Sequence, residues 1–255
     1  MTVPGELLLH AVWGAREEDP ISIVHRMSET LEFLQAQGGR IGSPLWSTEP
    51  RLVSGAPETL KEIVFGGYER DEGTGKVHWE FGASLSLLQE PYSTGRKAKV
   101  KVNAHVGNRQ AVPTIAANTI SVSFIASGSG KTAGERFPVE IEVLPKGLEL
   151  VRELVRIWSP DAASLDCDDL IDLQWSEEAT YPIVGFVTWL GDAVVAGDHS
   201  EIQVAHRERL ENGTLLSVDL KSDHLLEEGS ALVNQVFDRG ILRPIPVVQG
   251  DARAE

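Results

Sequence analysis

The stretch KAKVKVNAHV, residues 97–106, constrains the fold of this chain more than any other. Ala98, Val100, Val102, Ala104 and Val106 alternate with Lys97, Lys99, Lys101, Asn103 and His105. Successive side chains of a strand point to opposite faces, so this run carries one apolar face and one wet face. Such a strand belongs in an antiparallel sheet covered on one side and solvated on the other. The lysines also discourage edge-to-edge pairing.

Other segments supply partners for that strand. GELLLHAVWG (5–14), KVHWEFGASLSLL (76–88), NTISVSFI (118–125) and the near-continuous apolar run YPIVGFVTWLG (181–191) all read as strands. In EIQVAHRERLENGTLLSVDL (201–220), Asn212-Gly213 between two extended runs predicts a type I′ hairpin. A first helix opens on Asp19 as N-cap and Pro20 as first helical residue. Ile21, Val24, Met27, Leu31 and Leu34 form one face of it, and Gly38-Gly39 end it. PETLKEIVF (57–65) is a shorter helix. A third starts near Pro145, with Leu148, Val151, Leu154, Val155 and Trp158 as its stripe and Ser159-Pro160 as its stop. A last helix spans SDHLLEEGSALVNQVFDRG (222–240), capped by Ser222 or Asp223 and closed by Gly240. This order predicts one α+β domain over residues 1–243, with a mainly antiparallel or mixed sheet and about four helices on one side. Residues 244–255 are expected to form a loose tail.

SGSGKT, residues 127–132, resembles the end of a phosphate-binding P-loop. The pattern needs a glycine at position 125, where Ile125 stands. A P-loop also opens a helix, whereas AGERFPVEIEV (133–143) alternates Val139, Ile141 and Val143 with Glu140 and Glu142. The segment therefore reads as a hairpin loop between two strands.

No recognisable catalytic kit is present. The seven histidines have neither H-E-x-x-H nor C-x-x-C…H spacing, G-x-S-x-G is absent, and so is G-x-G-x-x-G. No catalytic residue, cofactor or metal is assigned. Cys167, the one cysteine, sits between Asp166 and Asp168, which raise its pKa and make it a poor nucleophile. A single cysteine forms no internal disulfide and fits a reducing cytosol. No apolar run approaches the ~20 residues of a membrane span. The opening residues lack the basic region of a signal peptide, so the expected location is cytoplasmic.

Charge is unevenly placed. Residues 1–159 hold 19 acids and 17 bases, a net of −2, and residues 160–255 hold 19 acids and 6 bases, a net of −13. From Ile157 to His206 there are ten carboxylates and no Lys or Arg. Nucleic acid is a poor partner for that half. DCDDLID gathers Asp166, Asp168, Asp169 and Asp172, with Glu177 and Glu178 following. A solvated turn, a divalent-metal site and a surface for a basic partner are all compatible with it. An EF-hand loop is not, because its sixth position, a glycine, is Ile171 here. Two rival readings stay open: a metal-dependent enzyme joining this cluster to His199 or His206, and a scaffold protein that oligomerises.

Three blocks together resemble the immunity protein 52 family of bacterial polymorphic toxin systems. HAVWGAREEDPISIVHRMSETLEFL (10–34) resembles its opening strand and W-G-x-R motif, and VRIWSPDAASL (155–165) is similar to its W-x-P-D segment. The third block runs from VGFVTWLG through GTLLSVDL to VFDRGILRP (184–244). The resemblance implies a cytosolic protein that binds and neutralises a cognate toxin with a basic surface, usually one with a restriction-endonuclease-like domain. Trp13 and Trp158 are expected to be core anchors rather than toxin contacts, and Arg16 with Glu17 a structural ion pair or turn brace. The six carboxylates above are the candidate partner-binding residues.

Overall fold

The computed structural model describes residues 6–39, 41–42, 45–48, 51–89, 99–110, 116–125, 142–174 and 181–246. Its strands are β1 (Leu7–Trp13), β2 (Leu45–Thr48), β3 (Arg51–Ser54), β4 (Phe81–Gln89), β5 (Lys99–Asn108), β6 (Asn118–Ile125), β7 (Ala162–Cys167), β8 (Val187–Gly191), β9 (His206–Leu210) and β10 (Gly213–Ser217). The helices are α1 (Pro20–Ala36), α2 (Pro57–Gly66), α3 (Gly147–Trp158), α4 (Asp168–Asp172) and α5 (Leu225–Asp238). The strands form one sheet in the order β3-β2-β4-β5-β6-β1-β7-β8-β10-β9. Every adjacent pair is antiparallel. The fold is thus a single α+β domain.

β1 is the seam of this sheet. One wing, β2 to β6, comes from the first half of the chain, and the other, β7 to β10, from the second. The charge asymmetry along the sequence therefore becomes an asymmetry between two wings.

Directly paired residues of antiparallel strands share a face. Leu7, Leu9 and Ala11 of β1 pair with Phe124, Val122 and Ile120 of β6 and with Cys167, Leu165 and Ala163 of β7. All nine are buried, and Val100, Val102, Ala104 and Val106 of β5 continue the same apolar face. The alternation expected in β5 is present, with Lys101, Asn103 and His105 half-buried on the opposite face. α1, α2 and α3 pack on the apolar face. α1 is built as its sequence dictates: Asp19 accepts from the Ser22 N–H at 3.0 Å, Pro20 opens the helix, and Val24, Met27, Leu31 and Leu34 are buried. Gly38 and Gly39, with φ of 64° and 58°, end it.

Helices do not all lie on one side, as the sequence led us to expect. Arg207 of β9 pairs with Leu216, on the face opposite α3, and donates to the Ile202 carbonyl at 2.5 Å. The next residue, Gln203, donates its N–H to Gln235 of α5 at 2.8 Å. The segment around residue 202 and α5 therefore cover the second face of the β7-to-β9 wing. Every residue of β7, β8 and β10 is consequently buried.

Local corrections follow the same physics. The β2–β3 hairpin and β7 went unrecognised in sequence. Asn212 and Gly213 both lack positive φ, so the hairpin is not type I′. Its turn is Glu211-Asn212, and Gly213 already pairs with Leu210. Gly213 is needed for close packing instead: a Cβ there would lie 2.3 Å from the Leu190 carbonyl and 2.6 Å from the Trp189 ring. α5 has His224 at its N-cap and no side-chain cap, in place of Ser222 or Asp223. Glu142 and Val143 are helical, not the end of a strand. The rest of that expected strand and SGSGKT lie outside the described residues. Ile245 is buried in the core, so the expected tail begins later than residue 244. No described helix is long and apolar enough to cross a membrane.

Candidate partner-binding surface

The DCDDLID segment is divided by the fold. Asp166 is the penultimate residue of β7 and is 0% exposed, so it is not part of a contact surface. Its Oδ2 accepts from the Ser164 hydroxyl at 2.5 Å and lies 3.2 Å from Nδ1 of His10 on β1. Oδ1 has no hydrogen-bond partner among the described residues. The register explains the meeting: His10 pairs with Ser164, and Asp166 is two residues further along the same face. This row is wider than the cluster. Ser86, Asn103, Ser121, His10, Ser164 and Thr188 stand side by side across six strands. It is exposed at Ser86 and buried at Thr188.

Past Cys167 the chain turns outward into α4. Asp168, Asp169 and Asp172 are exposed, while Leu170 is buried and anchors the turn. The next residue, Leu173, is 59% exposed. Partial burial raises the Asp168 pKa, and the carboxylates of Glu6, Asp172, Asp166 and Asp169 raise it further. Burial pushes the neighbouring Cys167 thiol up to about 11. Other acids of the base-free stretch are held by hydrogen bonds or ion pairs. Asp161 accepts from the Gly14 N–H at 2.9 Å, and Asp192 takes both Arg209 Nη atoms at 2.7 Å. Asp198 accepts from the Ser200 N–H, and Glu201 from Arg239 at 2.9 Å. Among the described residues, Asp168, Asp169 and Asp172 make no ion pair. Glu177 and Glu178 lie outside the described residues.

The W-G-x-R and W-x-P-D motifs meet in space as a structural clasp. Trp13 stacks on Trp158 with centroids 5.6 Å apart. Arg16 lies over Trp13 and donates to the carbonyls of Trp158 and Ser159 at 2.6 and 2.9 Å, satisfying the end of α3. Ser159 there takes a left-handed φ of 46°. The Trp158 indole N–H donates to Thr30 of α1 at 2.9 Å. Arg16 pairs with buried Glu18, which also holds Arg26, rather than with Glu17, whose partner is Arg109. Both tryptophans are buried, as core anchors should be.

One polar arrangement that sequence reasoning missed is chemically quiet. Ser84 Oγ lies 2.9 Å from His105 Nδ1. The Gln110 N–H donates to Asn108 Oδ1, which fixes that amide so that its NH₂ faces His105 Nε2 at 3.2 Å. Nε2 is then the acceptor, Nδ1 carries the proton, and Ser84 is a hydrogen-bond acceptor rather than an activated nucleophile. Burial lowers the His105 pKa, which favours this neutral form. His199 and His206 are not brought to the acidic segment. His199 contacts Thr214 at 2.9 Å and His206 contacts Glu208 at 3.4 Å, both on the far side of β8 from β7. No group of three or more His, Cys, Asp or Glu suited to a metal ion occurs among the described residues. Compared with known proteins, the chain matches no family model and no curated sequence.

Proposed function

We propose that this chain is an immunity protein: it binds a cognate toxin with a basic surface in the cytosol and has no catalytic activity of its own. The observation that carries the reading is the surface of α4. Three exposed carboxylates without a cationic partner among the described residues precede an exposed leucine, at a place where partial burial and the neighbouring carboxylates raise the Asp168 pKa. A partner's lysines or arginines would relieve that repulsion, and Leu173 would supply an adjoining apolar anchor. A nuclease cleft that accepts DNA has the required sign of charge. The resemblance of the three sequence blocks to immunity proteins supports the same reading. So does the clasp, which accounts for the tryptophan motifs by packing and leaves contact to other residues.

The test is to find a long open reading frame adjacent to this gene and to co-express the two, followed by co-purification and a survival assay. Wild type should protect cells and co-purify with the toxin domain, and Asp168→Asn/Asp169→Asn/Asp172→Asn should do so poorly. A toxin that binds neither, or both equally, contradicts the proposal.

A further inference from the structure

Trp79 is the one exposed tryptophan among those described, at 40%. Its position is fixed by a small hairpin in which Tyr68 bridges Ala83 and Arg70 bridges Val77. The His78 N–H donates to the Glu69 carbonyl at 2.9 Å, and Asp71 closes the tip by accepting from the Thr74 N–H at 2.7 Å. Tyr68 packs on the indole in a T-shaped arrangement at 4.6 Å and 61°, and Phe65, at the end of α2, does so at 6.0 Å and 84°. An exposed ring held this firmly loses little freedom on binding.

Charge indicates what the ring would hold. The cluster already takes one cation, since Lys61 Nζ lies 5.9 Å from the Phe65 ring. Trp13 carries the Arg16 guanidinium at 4.7 Å and Trp158 that of Arg26 at 5.9 Å. Trp79, of the ring type that holds cations best, carries none among the described residues. The hairpin that carries it bears Glu69, Asp71, Glu72 and Glu80 against Arg70 and Lys76, with His78 Nδ1 lying 3.0 Å from Glu80 Oε1. The C-terminus of α2, the negative end of its dipole, lies at Phe65 and has no basic residue in its last turn. Arg70 of the hairpin reaches the Phe65 carbonyl at 3.4 Å.

We propose that the Trp79 face is a docking point for an arginine- or lysine-bearing segment of a protein partner. The contact is separate from α4, because the hairpin leads into β4 on the opposite wing of the sheet. It also stands whether or not that partner is a toxin. The test is ¹⁹F NMR of the full chain labelled with 5-fluorotryptophan, the Trp79 signal being assigned from its loss in Trp79→Phe. A blocked Arg-Gly-Arg tripeptide should shift that signal saturably, about three- to tenfold more tightly than the citrulline counterpart, which keeps shape and loses charge. Glu80→Gln, which removes the charge and keeps an amide oxygen as acceptor for His78, should weaken the shift. An unmoved Trp79 signal, or equal response to the citrulline peptide, would overturn the proposal.

Discussion

Asp166→Ala should destabilise the fold severely while leaving the proposed contact surface intact. The carboxylate is fully buried between β1 and β7, with Ser164 at 2.5 Å and His10 at 3.2 Å. Truncation leaves the Ser164 hydroxyl and the His10 ring with only their own 3.5 Å contact where water does not reach, and each buried polar group so deprived costs about 1–3 kcal/mol. Some of that cost is offset, because Oδ1 has no partner among the described residues and its desolvation no longer counts. A net loss of about 3 kcal/mol is expected, which for a chain of this size is a fall in Tm of about 6–12 °C. Urea unfolding should show a lower midpoint with an unchanged m-value. His10→Ala and the double variant complete a cycle, and the coupling between the two positions should be at least about 1 kcal/mol. A loss below about 0.5 kcal/mol, the usual size for a surface substitution, would refute the reasoning. So would strict additivity in the cycle.

Three further outcomes follow from single positions. The Asp168 pKa is raised in the folded state, so the fold binds that proton more tightly than the unfolded chain and loses stability as pH rises through the carboxylate range. Asp168→Asn should therefore stabilise the protein at neutral pH, and the gain should vanish below about pH 3, where both states are protonated; a gain that persists there contradicts the assignment. The Cys167 thiol, buried and pushed up to about 11, should resist a disulfide reagent in the native protein and react promptly in urea. Fast native labelling would show β7 to be open. Gly14→Ala places a Cβ 2.2 Å from the Pro246 carbonyl, so thermal unfolding should report a loss of about 2–3 kcal/mol. Wild-type stability would mean that the C-terminal segment moves aside freely.

How legible the sequence was depends on where each residue's partner lies. β5, β6 and α1 could be read directly, because alternation, a cap and a helical stripe are local signals. The α3 stripe was placed slightly off: Leu150 and Ile157 are buried, while Leu148 and Val155 only flank the core. β7 was missed because AASLDC has small and polar residues that favour no strand, and only burial on both faces makes it one. Asp166 looked like one more solvated carboxylate, since nothing near it in sequence announces His10. Arg16 was correctly expected to brace structure, yet its partner is Glu18, and the carbonyls it satisfies belong to a helix end far along the chain. The exposed part of the acidic segment was legible as charge, but its separation from Asp166 comes from the strand-to-helix corner at Cys167.

The most direct measurement of the central claim is the association rate with the proposed toxin partner, taken at low salt and at 0.5 M salt. Asp168→Asn/Asp169→Asn/Asp172→Asn should associate about tenfold or more slowly than wild type at low salt. The difference should shrink at 0.5 M, where screening shortens the reach of the field to about 4 Å. Association of the triple variant at the wild-type rate in low salt would contradict the account, leaving the α4 carboxylates as a means of solubility alone.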